Sequence, residues 1–97
     1  MNELNILREQ INHIDAQIVK LLCERFAVVE NVAEYKKVHG LEILQQSREA
    51  EVLQKIAEHI GANSVHPQNQ KEYTKYILEI YAVILETSKS LQRKNIK

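Results

Sequence analysis

Breakers are scarce in this chain. Its 97 residues include two glycines, Gly40 and Gly61, and one proline, Pro67. Clusters of β-branched residues alternating with period two are few as well, so the whole chain reads as helix, cut by these three residues into three segments without repeats or low-complexity linkers. One cysteine, Cys23, excludes an intrachain disulfide. Lying inside an apolar run, it reads as a buried structural thiol and fits a reducing cytosol. Charge of one sign is not in excess, since 13 lysines and arginines balance 13 aspartates and glutamates. No broad basic field therefore exists to hold a nucleic-acid backbone or an anionic membrane, and any basic site must be local. No apolar run approaches the ~18 residues of a membrane span, and the charged start "MNELNILREQ" lacks a signal-peptide core, which points to a cytoplasmic protein. The length bounds the chain to one domain, residues 1–97, burying roughly 65% of the surface of its unfolded form.

A long amphipathic helix dominates what is present. From about Glu3 to Val38 neither glycine nor proline intervenes, and the apolar residues follow a heptad. One set of positions holds Leu4, Ile11, Ile18, Arg25 and Val32, the companion set Leu7, Ile14, Leu21, Val28 and Tyr35. Arg25 is the only charged member of the two sets. A helix of ~35 residues is ~52 Å long, against a radius of gyration of ~13 Å for a compact 100-residue domain. Two short partner helices cannot cover it, so a second copy of the chain is expected to do so in an intertwined homodimer, with dimerisation part of folding. The expected class is all-α, with one long and two shorter helices per chain.

After the loop "HGLEILQQ", a second helix is expected to start near Ser47 as N-cap, to bury Val52, Leu53, Ile56, Ala57 and Ile60, and to end at Gly61. Pro67 is placed to open a third helix, whose stripe Tyr73, Ile77, Ile80, Tyr81, Ile84 and Leu85 faces the core. Continuing by helical steps, that stripe reaches Ser88 and Gln92, so the core-facing side turns polar where a site can open. The basic tail "QRKNIK" reads as frayed and solvated.

The candidate site residues are Arg8, Arg25, Lys36, Arg48, Glu49, Ser88 and Gln92. Arg25 and Lys36 are eleven positions apart, three turns plus ~20°, and share a face with ~16 Å of rise between them, enough for two long side chains to bracket a small ligand. Arg8 lies ~25 Å from Arg25 along the axis and is rotated by ~100°, so it reaches the same ligand only from a partner chain. Each also has a plainer reading. Arg25 fits equally a polar register-setter in a helical seam, Lys36 and Arg8 solvated surface charges, Arg48 and Glu49 decoration of a helix's first turn, Ser88 and Gln92 a polar patch near a helix end. The four histidines show no paired metal-ligand spacing, and neither a P-loop, a dinucleotide fingerprint nor a nucleophile elbow occurs. Ser88 has no evident histidine partner. Covalent and metal catalysis are not expected.

The stretch "LREQINHIDAQIVKLLCERFAVVENVAEYK" resembles the first helix of the all-helical, AroQ-type chorismate mutases. An arginine near the start, "ER" seventeen residues on, a lysine eleven later, then "SREAEVL" and finally "ILETSKSLQ" are similar to that family's order and spacing along almost the whole chain. The resemblance implies an intertwined homodimer with two equivalent sites, rearranging chorismate to prephenate on the way to phenylalanine and tyrosine, without a cofactor. It implies that Arg25, with Arg8 from the other subunit, pairs with the substrate's two carboxylates. Lys36 and Gln92 match residues that hydrogen-bond the ether oxygen, Arg48 a further basic residue, Glu49 the carboxylate that takes the substrate hydroxyl, and Ser88 a serine lining the pocket. Gln45 stands where an aspartate is common in some members, which affects contacts to the ring hydroxyl rather than the reaction class. A sister activity on the same scaffold, such as isochorismate-pyruvate lyase or aminodeoxychorismate mutase, and a non-catalytic helical dimer are the alternatives.

Overall fold

A computed structural model describes residues 2–63 and 66–94. Among them the chain is all-α: α1 spans Glu3–His39, α2 Gln46–Asn63 and α3 Gln70–Lys94, with a 3-10 turn over Pro67–Asn69 leading into α3. The long first helix ends where the glycine pattern places its stop. Gly40 adopts the left-handed conformation at φ 66°. Its N–H donates to the Lys37 carbonyl and the Leu41 N–H to the Lys36 carbonyl at 2.8 Å, the paired bonds of a Schellman cap. At the other end Asn2 caps the helix, its side chain accepting from the Asn5 N–H at 2.8 Å. A Cβ at Gly40 would meet no atom within 4 Å, so the cost of a side chain there is conformational alone. Gly40→Ala should lower stability by about 1–2 kcal/mol in chemical denaturation, with the slope unchanged; an unaltered midpoint would show that the cap does not hold the turn.

Three expectations about boundaries change. Helix α2 starts at Gln46, so Ser47 sits in its first turn and Gln45 contributes the first helical acceptor, for the Glu49 N–H at 3.0 Å. Gly61 does not end α2. The helix runs through it to Asn63, whose side-chain amide donates to the His59 carbonyl at 2.9 Å and satisfies one of the last acceptors. A Cβ there would lie 3.6 Å from Nε2 of Gln70 at the start of α3, an ordinary van der Waals contact, so the packing does not demand a glycine at this position. Pro67 opens the 3-10 turn rather than α3 itself, and the Asn69 N–H donates to the His66 carbonyl at 2.8 Å. The tail is ordered further than expected, because α3 continues to Lys94 with Gln92 buried; its last three residues, 95–97, lie outside the described ones.

Helix α3 is the element on which both others pack; α1 and α2 make no backbone approach to each other among the described residues. The face of α1 that α3 covers consists of Leu22, Phe26, Val29 and Ala33, with Arg25 and Lys36 along one edge. Ala33 is 1% exposed and Ile60 on α2 is 8% exposed. Val52, Leu53 and Ile56 are half-buried as expected, whereas Ala57 is exposed. Of the expected α3 stripe, Ile77, Tyr81, Ile84 and Leu85 are half-buried, whereas Tyr73 and Ile80 fall at the margin of the covered face and stay exposed.

The heptad stripe of α1 is not the face α3 uses. Its nine apolar members, from Leu4 to Tyr35, are each 41–61% exposed. The molecule is accordingly long, 55 × 28 × 17 Å with a radius of gyration of 16.8 Å, against ~13 Å for a compact domain of this size. Cys23 is exposed rather than buried, because it lies beside Leu22 but off the covered face.

Candidate active site

Arg25 and Lys36 lie on the border between the covered face of α1 and its bare heptad stripe, which is why both are part-buried while their heptad neighbours are not. Around them the second half of α1, the 40–45 loop with the start of α2, and the end of α3 enclose a cleft of about 260 Å³. Small-molecule pockets begin at ~300 Å³, so the cleft suits a compact ligand. Lining it are Arg25, Lys36, Gln45, Arg48, Glu49, Ser88 and Gln92, with Val28, Val29, Val32, Ile43, Val52 and Leu85 as apolar walls. Arg8 is not among them. It is exposed on the first half of α1, far from the cleft of its own chain.

Lys36 anchors one wall. Its ammonium donates to the Ile43 carbonyl at 2.8 Å and to Oε1 of Gln92 at 2.8 Å. Because lysine only donates, Gln92 must present its oxygen to Lys36, which leaves the amide nitrogen as a donor for the cleft. Burial removes water from the ammonium and lowers the Lys36 pKa below its usual 10.5. Arg25 donates through Nη1 to the Ser88 hydroxyl, and that hydroxyl donates in turn to the Ile84 carbonyl at 2.8 Å. Ser88 and Gln92 are 5% and 7% exposed, so the polar end of the α3 stripe is buried and partnered. Ser88 therefore orients a guanidinium; it has no histidine beside it in the cleft, and its proton is already committed to a backbone carbonyl.

The opposite wall belongs to α2. Arg48 pairs with Glu51 at 2.9 Å along its own helix, both side chains being more than half exposed. Such a surface pair contributes ~0–1 kcal/mol, so Arg48 is released to a ligand at little cost. Glu51 also meets Lys55 at 3.1 Å, and that contact is the main reason its pKa falls below the usual carboxylate value. Gln45 donates from Nε2 to the Glu42 carbonyl at 2.9 Å. Glu49 crosses to α3, pairing with Lys89 at 3.0 Å, and Lys89 reaches Glu86 at 3.2 Å. The hydrogen bond to Glu49, then that to Glu86, raises the Lys89 pKa.

Lys89 is the cleft residue that sequence reasoning missed. Its signal was there, since Leu85, Ser88, Lys89 and Gln92 follow the i, i+3, i+4, i+7 spacing of one helical face. The Ile43 carbonyl carries no such signal, because a main-chain acceptor has no residue type. Taken together, the cleft offers guanidinium forks for carboxylates, an ammonium and an amide donor side by side, and one carboxylate acceptor.

The family model for chorismate mutase type II matches residues 7–93. The chain belongs to that family. Among the curated relatives of this chorismate mutase type II domain is the bifunctional chorismate mutase/prephenate dehydratase of Buchnera aphidicola subsp. Acyrthosiphon pisum (strain APS), 36% identical over 96 residues, or 99% of this chain and 23% of the relative. The protein of the same description from Aquifex aeolicus (strain VF5) is 34% identical over 98 residues, or 97% of this chain and 25% of the relative. The chorismate mutase of Methanocaldococcus jannaschii is 26% identical over 97 residues, 100% of this chain and 91% of that protein. The chain thus spans about a quarter of the bifunctional relatives it matches. No solved structure matches it significantly.

Proposed function

We propose that this chain, as a single helical domain over residues 1–97, is a chorismate mutase, converting chorismate to prephenate by an intramolecular Claisen rearrangement without a covalent intermediate or cofactor. The reading is carried by one observation: Arg25, Lys36 and Gln92 converge along one wall of a compact cleft, with Arg48 and Glu49 opposite. A [3,3] rearrangement is unimolecular and moves no proton, so it needs neither nucleophile nor general base. Catalysis reduces to holding a compact conformer and stabilising charge as it develops. Arg25 and Arg48 would grip carboxylates. As the carbon–oxygen bond breaks ahead of bond making, negative charge grows on the ether oxygen, and the Lys36 ammonium with the Gln92 amide would meet it there. Glu49 would accept from the ring hydroxyl, Ser88 would hold Arg25 in place, and Gln45 would line the entrance beside Arg48.

The working unit is an intertwined homodimer. Nine half-exposed apolar side chains follow one heptad stripe along α1, the kind of exposed apolar surface that marks an interface, and a second α1 carries the same repeat. Arg8, stranded on the bare half of α1, would then enter the partner's cleft and meet the second carboxylate. No helix of the described residues is long and apolar enough to cross a membrane; with the balanced charge this supports action in the cytoplasm on a small dicarboxylate, not on nucleic acid or lipid.

Loss of chorismate's absorbance on adding protein, with prephenate identified by NMR, is the test. Absence of turnover would defeat the reading in favour of a non-catalytic helical dimer, and release of pyruvate from isochorismate instead would move the assignment to the sister lyase. Gln92 supplies a sharper check. An amide donates at every pH, whereas a carboxylate donates only when protonated. Gln92→Glu should lose ~10²-fold or more in kcat at neutral pH and recover as the pH falls; an unchanged profile would remove Gln92 from the ether oxygen.

A further inference from the structure

Glu49–Lys89 is the only ion pair among the described residues that joins two helices; the others lie within α2 or α3. It is also the least exposed, at 31% for the Glu49 side chain and 17% for Lys89. Glu49, Leu85 and Lys89 line both the cleft and a second cavity of about 350 Å³ between α2 and α3, so the pair forms the wall between them. Nothing in the rearrangement as described uses Lys89.

We infer that Lys89 is a positioning residue that fixes substrate class: paired with Glu49, it sets that carboxylate to receive a neutral hydroxyl and disfavours a diacid bearing an amine at the same place. This rests on the assignment of Glu49 to the substrate hydroxyl. Two electrostatic consequences lead to it. An unpaired Glu49 would add a negative charge to a cleft meant for a dianion, and Lys89 cancels that charge at 3.0 Å. A carboxylate held by an ammonium on one oxygen still accepts from a hydroxyl on the other. A protonated amine brought to that second oxygen meets the Lys89 charge as well, and like charges so placed count against the wrong partner. Glu86, on the far side of Lys89 at 3.2 Å, keeps the ammonium between the two carboxylates instead of extended into the cleft.

The test compares chorismate with its analogue carrying an amino group in place of the ring hydroxyl, in wild type, Lys89→Met and Lys89→Arg, by turnover and by titration calorimetry. Lys89→Met keeps the length and removes the charge. It should raise KM for the hydroxyl substrate and lower KM or Kd for the amino analogue, shifting the ratio of the two by about tenfold, with kcat for chorismate little changed because the contact is made equally in ground and transition states. Lys89→Arg should restore the wild-type ratio. A merely structural lysine would move both ligands in the same direction, and that result, or no change in the ratio, overturns the inference. In a Glu49→Gln background Lys89→Met should have no effect on the ratio; a persisting effect also overturns it, since Lys89 would then act other than through Glu49. Turnover of neither ligand by wild type, with both still bound in the expected ratio, would sink the mutase reading alone.

Discussion

Lys36→Ala should lower kcat/KM for chorismate by ~10²–10³, mostly in kcat, while leaving helix content and assembly intact. Oxyanion donors of this kind act on charge that exists only in the transition state, which puts the loss in kcat. The geometry adds a second contribution, because the same ammonium holds Oε1 of Gln92 and so aims the neighbouring amide. Turnover near that of wild type would remove Lys36 from the mechanism. The pH profile offers an independent check. Burial lowers the Lys36 pKa below 10.5, so the cation disappears, and activity with it, on an alkaline limb that begins below the pH at which an ordinary lysine titrates. Lys36→Arg, whose charge does not titrate there, should lose activity overall yet lack that limb. The effect on stability has the opposite sense. Between the lowered folded value and 10.5 the unfolded chain binds more protons than the folded one, so Lys36's own contribution to stability rises with pH through that window.

Arg8→Ala and Arg25→Ala should each lose ~10²-fold or more in kcat/KM, because each leaves one carboxylate of a bound diacid without its partner. Unfolded together and refolded as an equal mixture, the two inactive proteins should recover about a quarter of wild-type activity. Random pairing makes half of the dimers mixed, and a mixed dimer has one site carrying both arginines and one carrying neither. Refolding is required, since chains whose folding depends on each other do not exchange freely. No recovery would mean that Arg8 and Arg25 do not meet across an interface. Recovery is the outcome that the proposed dimer predicts, since the heptad stripe of α1 is bare within a single chain.

How much of this was legible without the fold differs from residue to residue. The span of α1 was readable nearly to the residue, because the heptad periodicity and a single glycine act locally and no competing breaker interrupts them. Gly61 misled for the same local reason. Glycine ends helices by its freedom at positive φ, but here that freedom goes unused: Gly61 lies inside α2, and Gly40 is the glycine that takes positive φ among the described residues. Cys23 and Ala57 were assigned to the core from their apolar neighbours, yet which flank of a helix is covered depends on where α3 lies. The cleft was partly legible: the α3 stripe led to Ser88 and Gln92, and both are buried. Lys89 shared their face and was passed over, because a lysine near a helix end usually reads as solvated.

Composition and periodicity alone determined that the chain is all-α, that its first helix is too long to be covered from within, and that Arg25 and Lys36 share a face. These follow from interactions within a few turns of backbone. Tertiary structure alone decided that α3 takes the face beside the heptad rather than the heptad itself. It also decided that Lys36 is held by Ile43 and Gln92, and that Glu49 reaches Lys89. Those contacts join residues up to 56 positions apart, and no local pattern fixes the angle at which two helices meet.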